Sequence, residues 1–176
     1  GNVLKQKTSL LLAFSLVGPF CLSTAINSWL PTYYHEVFGM PLAEASSITA
    51  LITLTGTITC LFGGILPMRI GLRRPFLIVP GLLIGLAAIG CFMLNNLVVI
   101  LISVVLFGVF SSLGLPSIFT IPMELPDMTP RFGSIVLALT LAAGNFGAFT
   151  GPLTIGYLAD WTGSYLPGFV VCSVLS

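Results

Sequence analysis

The chain has 176 residues, of which 56% are apolar and only 6% are charged, and its formal net charge is +1. An average soluble domain carries about 25% charged residues. A soluble chain of this composition could not bury all of its apolar side chains. The composition therefore excludes an ordinary soluble domain. The sequence has no basic patch mixed with aromatic residues, so it gives no indication of nucleic-acid binding.

Long stretches without any charged residue alternate with short polar breaks along the chain. A bilayer core of about 30 Å needs roughly 20 apolar helical residues, and several of these stretches reach that length. We predict an all-α membrane protein with six spans, the last incomplete, at 9–34, 44–66, 75–94, 97–123, 131–158 and 166–176. The last stretch has about half the residues that a span needs, so we expect this helix to continue beyond Ser176.

The basic residues predict how these spans are oriented. All six fall at span ends on one side of the membrane: Lys5, Lys7, Arg69, Arg73, Arg74 and Arg131. Because lysine and arginine are enriched in cytoplasmic loops, this side is predicted to be cytoplasmic in a plasma (inner) membrane. Trp29, Tyr33 and Tyr34, near the opposite end of the first span, are predicted to be interfacial aromatics.

The segment between the second and third spans carries a resemblance to a known family. Residues 64–74 read GILPMRIGLRR, which resembles the loop signature of the major facilitator superfamily, G-x-L-x-D-R-x-G-R-R. That family has the loop between helices 2 and 3 and a degraded copy between helices 8 and 9. Here Met68 replaces the acidic position and Leu72 replaces the first basic one, which favours the degraded copy. The spans therefore resemble helices 7 to 12.

Three further segments agree with this resemblance. Residues 144–152 (GNFGAFTGP) and 156–164 (GYLADWTGS) resemble helix 11 and the loop that follows it. Residues 122–131 (PMELPDMTPR) resemble the end of helix 10 and the start of helix 11. Together with 29–34 (WLPTYY), the pattern is most like the cyanate and nitroimidazole transporter group.

The resemblance implies a secondary transporter that works by alternating access, with residues 1–176 as its carboxy-terminal six-helix domain. It implies a small solute as substrate, with a small anion as one candidate, and no cofactor. It also implies an amino-terminal six-helix half before Gly1 as partner. Two readings stay open. A drug or metabolite antiporter shares the fold, and Gly147-x-x-x-Gly151-Pro152 also resembles the antiporter signature of an amino-terminal half.

Polar side chains in the middle of spans are the candidate substrate-binding residues, because such groups are costly in a membrane unless they have a partner or line water. Ser23 and Asn27 lie one turn apart on one face of the first span. Thr53, Ser112 and Asn145 are the candidates in the second, fourth and fifth spans. The alternative for each is helix–helix packing or interhelical hydrogen bonding.

Charged residues at the predicted cytoplasmic ends form a candidate gate. In the family, an acidic residue that ends helix 10 and a basic one that begins helix 11 meet the loop between helices 8 and 9. The resemblance implies the same roles here for a set of charged residues: Arg69, Arg73, Arg74, Glu124, Asp127 and Arg131. We expect Glu124 to pair with Arg131 and with one of Arg69 or Arg73. The alternative is solvated loop charge, since exposed ion pairs contribute about 0–1 kcal/mol.

An intramembrane enzyme is the main reading from a different class. It would need a buried nucleophile with a base, or a set of metal ligands. The single histidine, His35, lies at a span end, the carboxylates also lie at span ends, and the four cysteines form no C-x-x-C pair. We therefore expect neither catalytic residues nor a metal site.

Overall fold

The computed structural model describes residues 11, 14–70, 75–94, 96–124 and 130–176, with side chains at 11, 14–65, 79–94, 96–120 and 133–176. Helices occupy nearly all of these ranges, and no strand occurs within them. In chain order the helices are α1 (Val17–Phe38), α2 (Leu42–Ile70), α3 (Pro75–Met93), α4 (Leu97–Leu113), α5 (Leu115–Glu124), α6 (Pro130–Thr162) and α7 (Leu166–Leu175).

Three helical segments in the described part of the chain are long and apolar enough to cross a membrane: Leu42–Ile65, Leu97–Thr120 and Gly133–Thr162. Two shorter apolar helices, Val79–Met93 and Leu166–Leu175, accompany them. Large apolar side chains remain exposed on their outer faces; Leu61 and Leu82, for example, are 68% and 70% exposed. A surface of this kind suits lipid, and the prediction of an all-α membrane protein is confirmed.

The fourth predicted span is divided in the structure. α4 ends at Leu113 and α5 begins at Leu115, with Gly114 between them. Pro116 has no N–H to donate to the Ser112 carbonyl four residues earlier. The N–H of Gly114 donates to that carbonyl instead. The proline therefore coincides with a break in the helix.

The core is formed mainly by buried side chains of α1, α3, α4 and α7, with Ala45 and Ile52 of α2 and Ile155 of α6. Its largest fully buried side chains include Tyr34, Phe92, Phe107 and Phe169, and the Phe92 and Phe169 rings stack with centroids 5.1 Å apart.

Two buried tyrosines of α1 cap the end of α3. The last carbonyls of a helix have no donor within it. Tyr33 and Tyr34 donate from their hydroxyls to the carbonyls of Phe92 and Cys91, each at 2.8 Å. Both rings are buried, so the prediction of interfacial aromatics is wrong for these two residues.

α1 and α6 approach closely through glycines. A Cβ at Gly147 would overlap the Val17 carbonyl oxygen, and one at Gly151 would overlap that of Cys21. Small residues at such positions allow two helix backbones to pack without intervening side chains.

A proline in α6 explains one hydrogen bond between these two helices. Pro152 lies inside α6, so the Ala148 carbonyl loses its regular helical donor. The Thr24 hydroxyl of α1 lies 3.0 Å from that carbonyl and donates to it. The same proton is shared with the Phe20 carbonyl, 2.5 Å away in α1. Nearby, the Trp29 indole N–H donates to the Pro152 carbonyl at 3.0 Å.

Replacing the Thr24 hydroxyl by a methyl group should destabilise the protein. In Thr24→Val the Ala148 carbonyl loses its donor in an apolar environment, at a cost of about 1 kcal/mol. The matched control is Thr154→Val, because the Thr154 hydroxyl donates only within α6, to Thr150 at 2.8 Å. Denaturant unfolding of the purified protein in detergent gives the comparison. Equal destabilisation by both substitutions would contradict this role for Thr24.

Candidate functional site

A cavity of about 310 Å³ lies between α1, α2 and the junction of α4 with α5. Its polar lining is formed by Ser23, Asn27, Thr53, Thr57, Cys60, Ser111 and Ser112. The apolar side chains of Phe20, Ile52 and Leu115 contribute to its walls. Asn27, Thr53 and Cys60 are exposed, so the cavity opens to the surface of this domain.

Helical spacing places the polar residues of each helix on one face. Ser23 and Asn27 are four residues apart on α1, and Thr53, Thr57 and Cys60 are three or four apart on α2. Side chains at these spacings lie above one another on a helix.

Small residues set the distance between α2 and α4 beside the cavity. A Cβ at Gly56 would meet the Ser112 hydroxyl, and one at Gly108 would meet the Ile52 carbonyl oxygen. The backbones therefore approach closely on one side of the cavity, which small residues allow.

The lining of the cavity includes polar side chains, but none of its side chains carries a formal charge. Three of its polar groups donate protons to backbone carbonyls. The Asn27 amide nitrogen donates to Ser23 at 2.8 Å, Thr57 to Thr53 at 2.8 Å, and Ser111 to Gly108 at 3.1 Å.

The structure brings together four of the five predicted substrate-binding residues. Ser23, Asn27, Thr53 and Ser112 all line the cavity. Thr57, Cys60 and Ser111 line it as well; the signal for the first two is their helical spacing from Thr53.

Asn145 does not line this cavity. Its side chain is exposed on α6. It follows Gly144, where a Cβ would meet Phe20 of α1 and Leu16, which precedes α1. Successive helical residues point about 100° apart. Asn145 is therefore turned away from the face that meets α1, and its role in substrate binding stays a prediction.

The candidate gate falls largely outside the described residues. Arg73, Arg74 and Asp127 lie outside them altogether. Arg69, Glu124 and Arg131 belong to α2, α5 and α6, but their side chains are outside the described set. Their pairing therefore stays a prediction.

The carboxy-terminal end of α1 carries a polar cluster that is separate from the cavity. The Tyr165 hydroxyl donates to Glu36 Oε2 at 2.8 Å, and this hydrogen bond raises the pKa of Tyr165. His35 Nδ1 lies 2.7 Å from the Met40 carbonyl oxygen. Among the described residues, no group of three or more His, Cys, Asp or Glu side chains could hold a metal ion.

The sequence is similar to those of known membrane transporters. The family model for the Major Facilitator Superfamily matches residues 2–139. A probable nitrate/nitrite antiporter of Thermus thermophilus is 30% identical over 173 residues, covering 86% of this chain and 38% of the relative. A probable galactarate/D-glucarate transporter of Bacillus subtilis (strain 168) is 27% identical over 163 residues, covering 85% and 34%.

A quinolone resistance transporter of Acinetobacter baumannii is 29% identical over 180 residues, covering 99% of this chain and 40% of the relative. The chain thus spans 34% to 40% of the length of these relatives.

Proposed function

The chain belongs to the major facilitator superfamily, and on that premise we propose that it is the carboxy-terminal six-helix half of a secondary transporter. Its helices would correspond to helices 7 to 12, and an amino-terminal six-helix half would complete the protein in a plasma (inner) membrane. The family match over residues 2–139 and the short coverage of the relatives support this proposal. The proposal is also supported by the loop signature at 64–74 and by the absence of arginine from 97–123, the fourth predicted span.

The cavity between α1, α2 and the α4–α5 junction is the observation that carries the proposal. Uncharged hydroxyl and amide groups in a membrane domain are tolerated where water or a solute satisfies them. Secondary transporters commonly place their substrate sites beside discontinuous helices, and the break at Gly114 lies next to this cavity. In our proposal the two halves rock about this site and open it alternately to each side.

The relatives support a small solute and leave its identity open. Their names specify nitrate or nitrite, galactarate or D-glucarate, and quinolone resistance. The first two support a small anion as substrate. The third supports the second candidate function, drug export by antiport. The finer likeness to the cyanate and nitroimidazole group stays a prediction.

Cys60 provides a direct test of alternating access, because it lines the cavity while Cys21, Cys91 and Cys172 are buried. In the complete protein, a membrane-impermeant maleimide should label Cys60 from either face of oriented vesicles. Saturating either face with a transported solute should change the ratio of the two labelling rates. Cys60→Ser is the control. Reaction with a lipid-soluble maleimide alone would contradict the proposal.

We further propose that Glu124, Asp127 and Arg131, with Arg69, Arg73 and Arg74, hold the cytoplasmic side closed. Ion pairs formed in only one conformation shift its population, and about 1.4 kcal/mol is a tenfold shift. Shielding at the membrane edge strengthens such pairs relative to fully exposed ones.

Removing the Glu124 charge should favour the conformation that is open to the cytoplasm. We expect Glu124→Gln to raise cytoplasmic labelling of Cys60 up to about tenfold relative to labelling from the other face. Glu44→Gln, in the first turn of α2 at the opposite end of the domain, is the matched control. If Glu124→Gln and Arg131→Gln both leave the ratio unchanged, these charges determine orientation only.

A further inference from the structure

The polar groups of the cavity differ in whether they can still donate or accept a hydrogen bond. A carbonyl oxygen has no proton, so the Asn27 side-chain atom facing the Ser23 carbonyl must be the amide nitrogen. Its 2.8 Å hydrogen bond uses one of the two amide protons, so Asn27 Oδ1, an acceptor, and one N–H remain for a ligand. Thr57 and Ser111 have likewise donated their only hydroxyl protons to carbonyls. These three residues therefore offer acceptors to the cavity.

The backbone of α1 adds a further acceptor at the same level. Pro31 lies inside α1 and has no N–H, so it cannot donate to the Asn27 carbonyl. Within the described part of the chain, the hydroxyls of Ser23, Thr53 and Ser112 make no hydrogen bond, and each can rotate to donate or to accept. The fixed acceptors are thus Asn27 Oδ1, the Asn27 carbonyl and the hydroxyl oxygens of Thr57 and Ser111. The remaining Asn27 N–H is a donor, and the other three hydroxyls can take either role.

This pattern of hydrogen-bond donors and acceptors favours some classes of ligand over others. A bare oxyanion could accept from the remaining Asn27 N–H and the rotatable hydroxyls, but it has no proton to offer. It would therefore leave the fixed acceptors without a donor, which is costly where binding excludes water. A metal cation would find acceptors, but 310 Å³ is a volume suited to a small organic ligand. A hydroxyl group both donates and accepts, and it matches the fixed acceptors and the rotatable hydroxyls together. The apolar walls at Phe20 and Leu115 suit the C–H faces of a short carbon chain.

We propose that this half of the cavity binds a small polyhydroxylated solute through its hydroxyl groups. The solute is a polyol or a polyhydroxy acid; in the second case its carboxylates would be bound by groups beyond this cavity. The inference rests on the proposed transport function, because it takes the cavity to be the solute site.

Three six-carbon probes separate the contributions of hydroxyl and carboxylate groups. D-glucarate has both, D-glucitol has hydroxyls only, and adipate has carboxylates only; nitrate is the bare oxyanion. Binding of each probe to the complete protein in detergent is measured by titration calorimetry. Because binding and not transport is measured, the result is independent of the Cys60 test of alternating access.

We expect D-glucarate or D-glucitol to bind at least tenfold more tightly than adipate and nitrate, because a site built for hydroxyls rejects analogues that lack them. Binding of D-glucitol would indicate that hydroxyls suffice, and binding of D-glucarate alone would indicate that carboxylates are held elsewhere. Asn27→Leu should weaken binding of the hydroxylated probe about tenfold. Ser28→Leu is the control, because Ser28 is exposed on α1 and does not line the cavity.

Thr57→Val removes a second fixed acceptor and keeps the test decisive if Asn27→Leu does not fold. The proposal is overturned if adipate or nitrate binds as tightly as both hydroxylated probes, or if neither hydroxylated probe binds. It is also overturned if Asn27→Leu, or Thr57→Val in its place, leaves binding of the hydroxylated probe unchanged.

Discussion

Backbone carbonyls that lose their helical donors must find others inside a membrane protein, because lipid supplies none. In this structure such carbonyls connect the helices. The Ala148 carbonyl, freed by Pro152, accepts from Thr24 of α1, and the last carbonyls of α3 accept from Tyr33 and Tyr34. α1 is therefore tied to α6 on one side and to α3 on the other.

The same constraint accounts for the cavity. α1, held by these hydrogen bonds and by the glycine contacts of α6, faces α2 and the α4–α5 junction. Pro116 interrupts the fourth span at Gly114, where Ser111, Ser112 and Leu115 reach the cavity. Uncharged polar groups from three helices then converge in a domain whose outer surface is apolar. The cavity thus presents uncharged polar groups while the surrounding helices stay closely packed.

Much of the fold and part of the site could be predicted from sequence, because both depend on patterns within single helices. The four-residue spacing of Ser23 and Asn27 and the mid-span positions of Thr53 and Ser112 are local features. The tyrosine caps were not predictable, because they depend on where α3 ends relative to α1. The orientation of Asn145 relative to α1 could not be predicted for the same reason: periodicity gives the direction of a side chain on its own helix, but not which helix lies opposite.

The proposed transport function requires that a solute pass through the cavity between α1, α2 and the α4–α5 junction. Counterflow of radiolabelled D-glucarate and of nitrate by the reconstituted complete protein tests it, using Thr53→Phe to fill the cavity. Leu54→Phe is the control, since Leu54 is 58% exposed on the same helix and does not line the cavity. We predict at least a tenfold loss of exchange in Thr53→Phe and near-normal exchange in Leu54→Phe at equal membrane levels. Normal exchange in Thr53→Phe would contradict passage of the solute through this cavity.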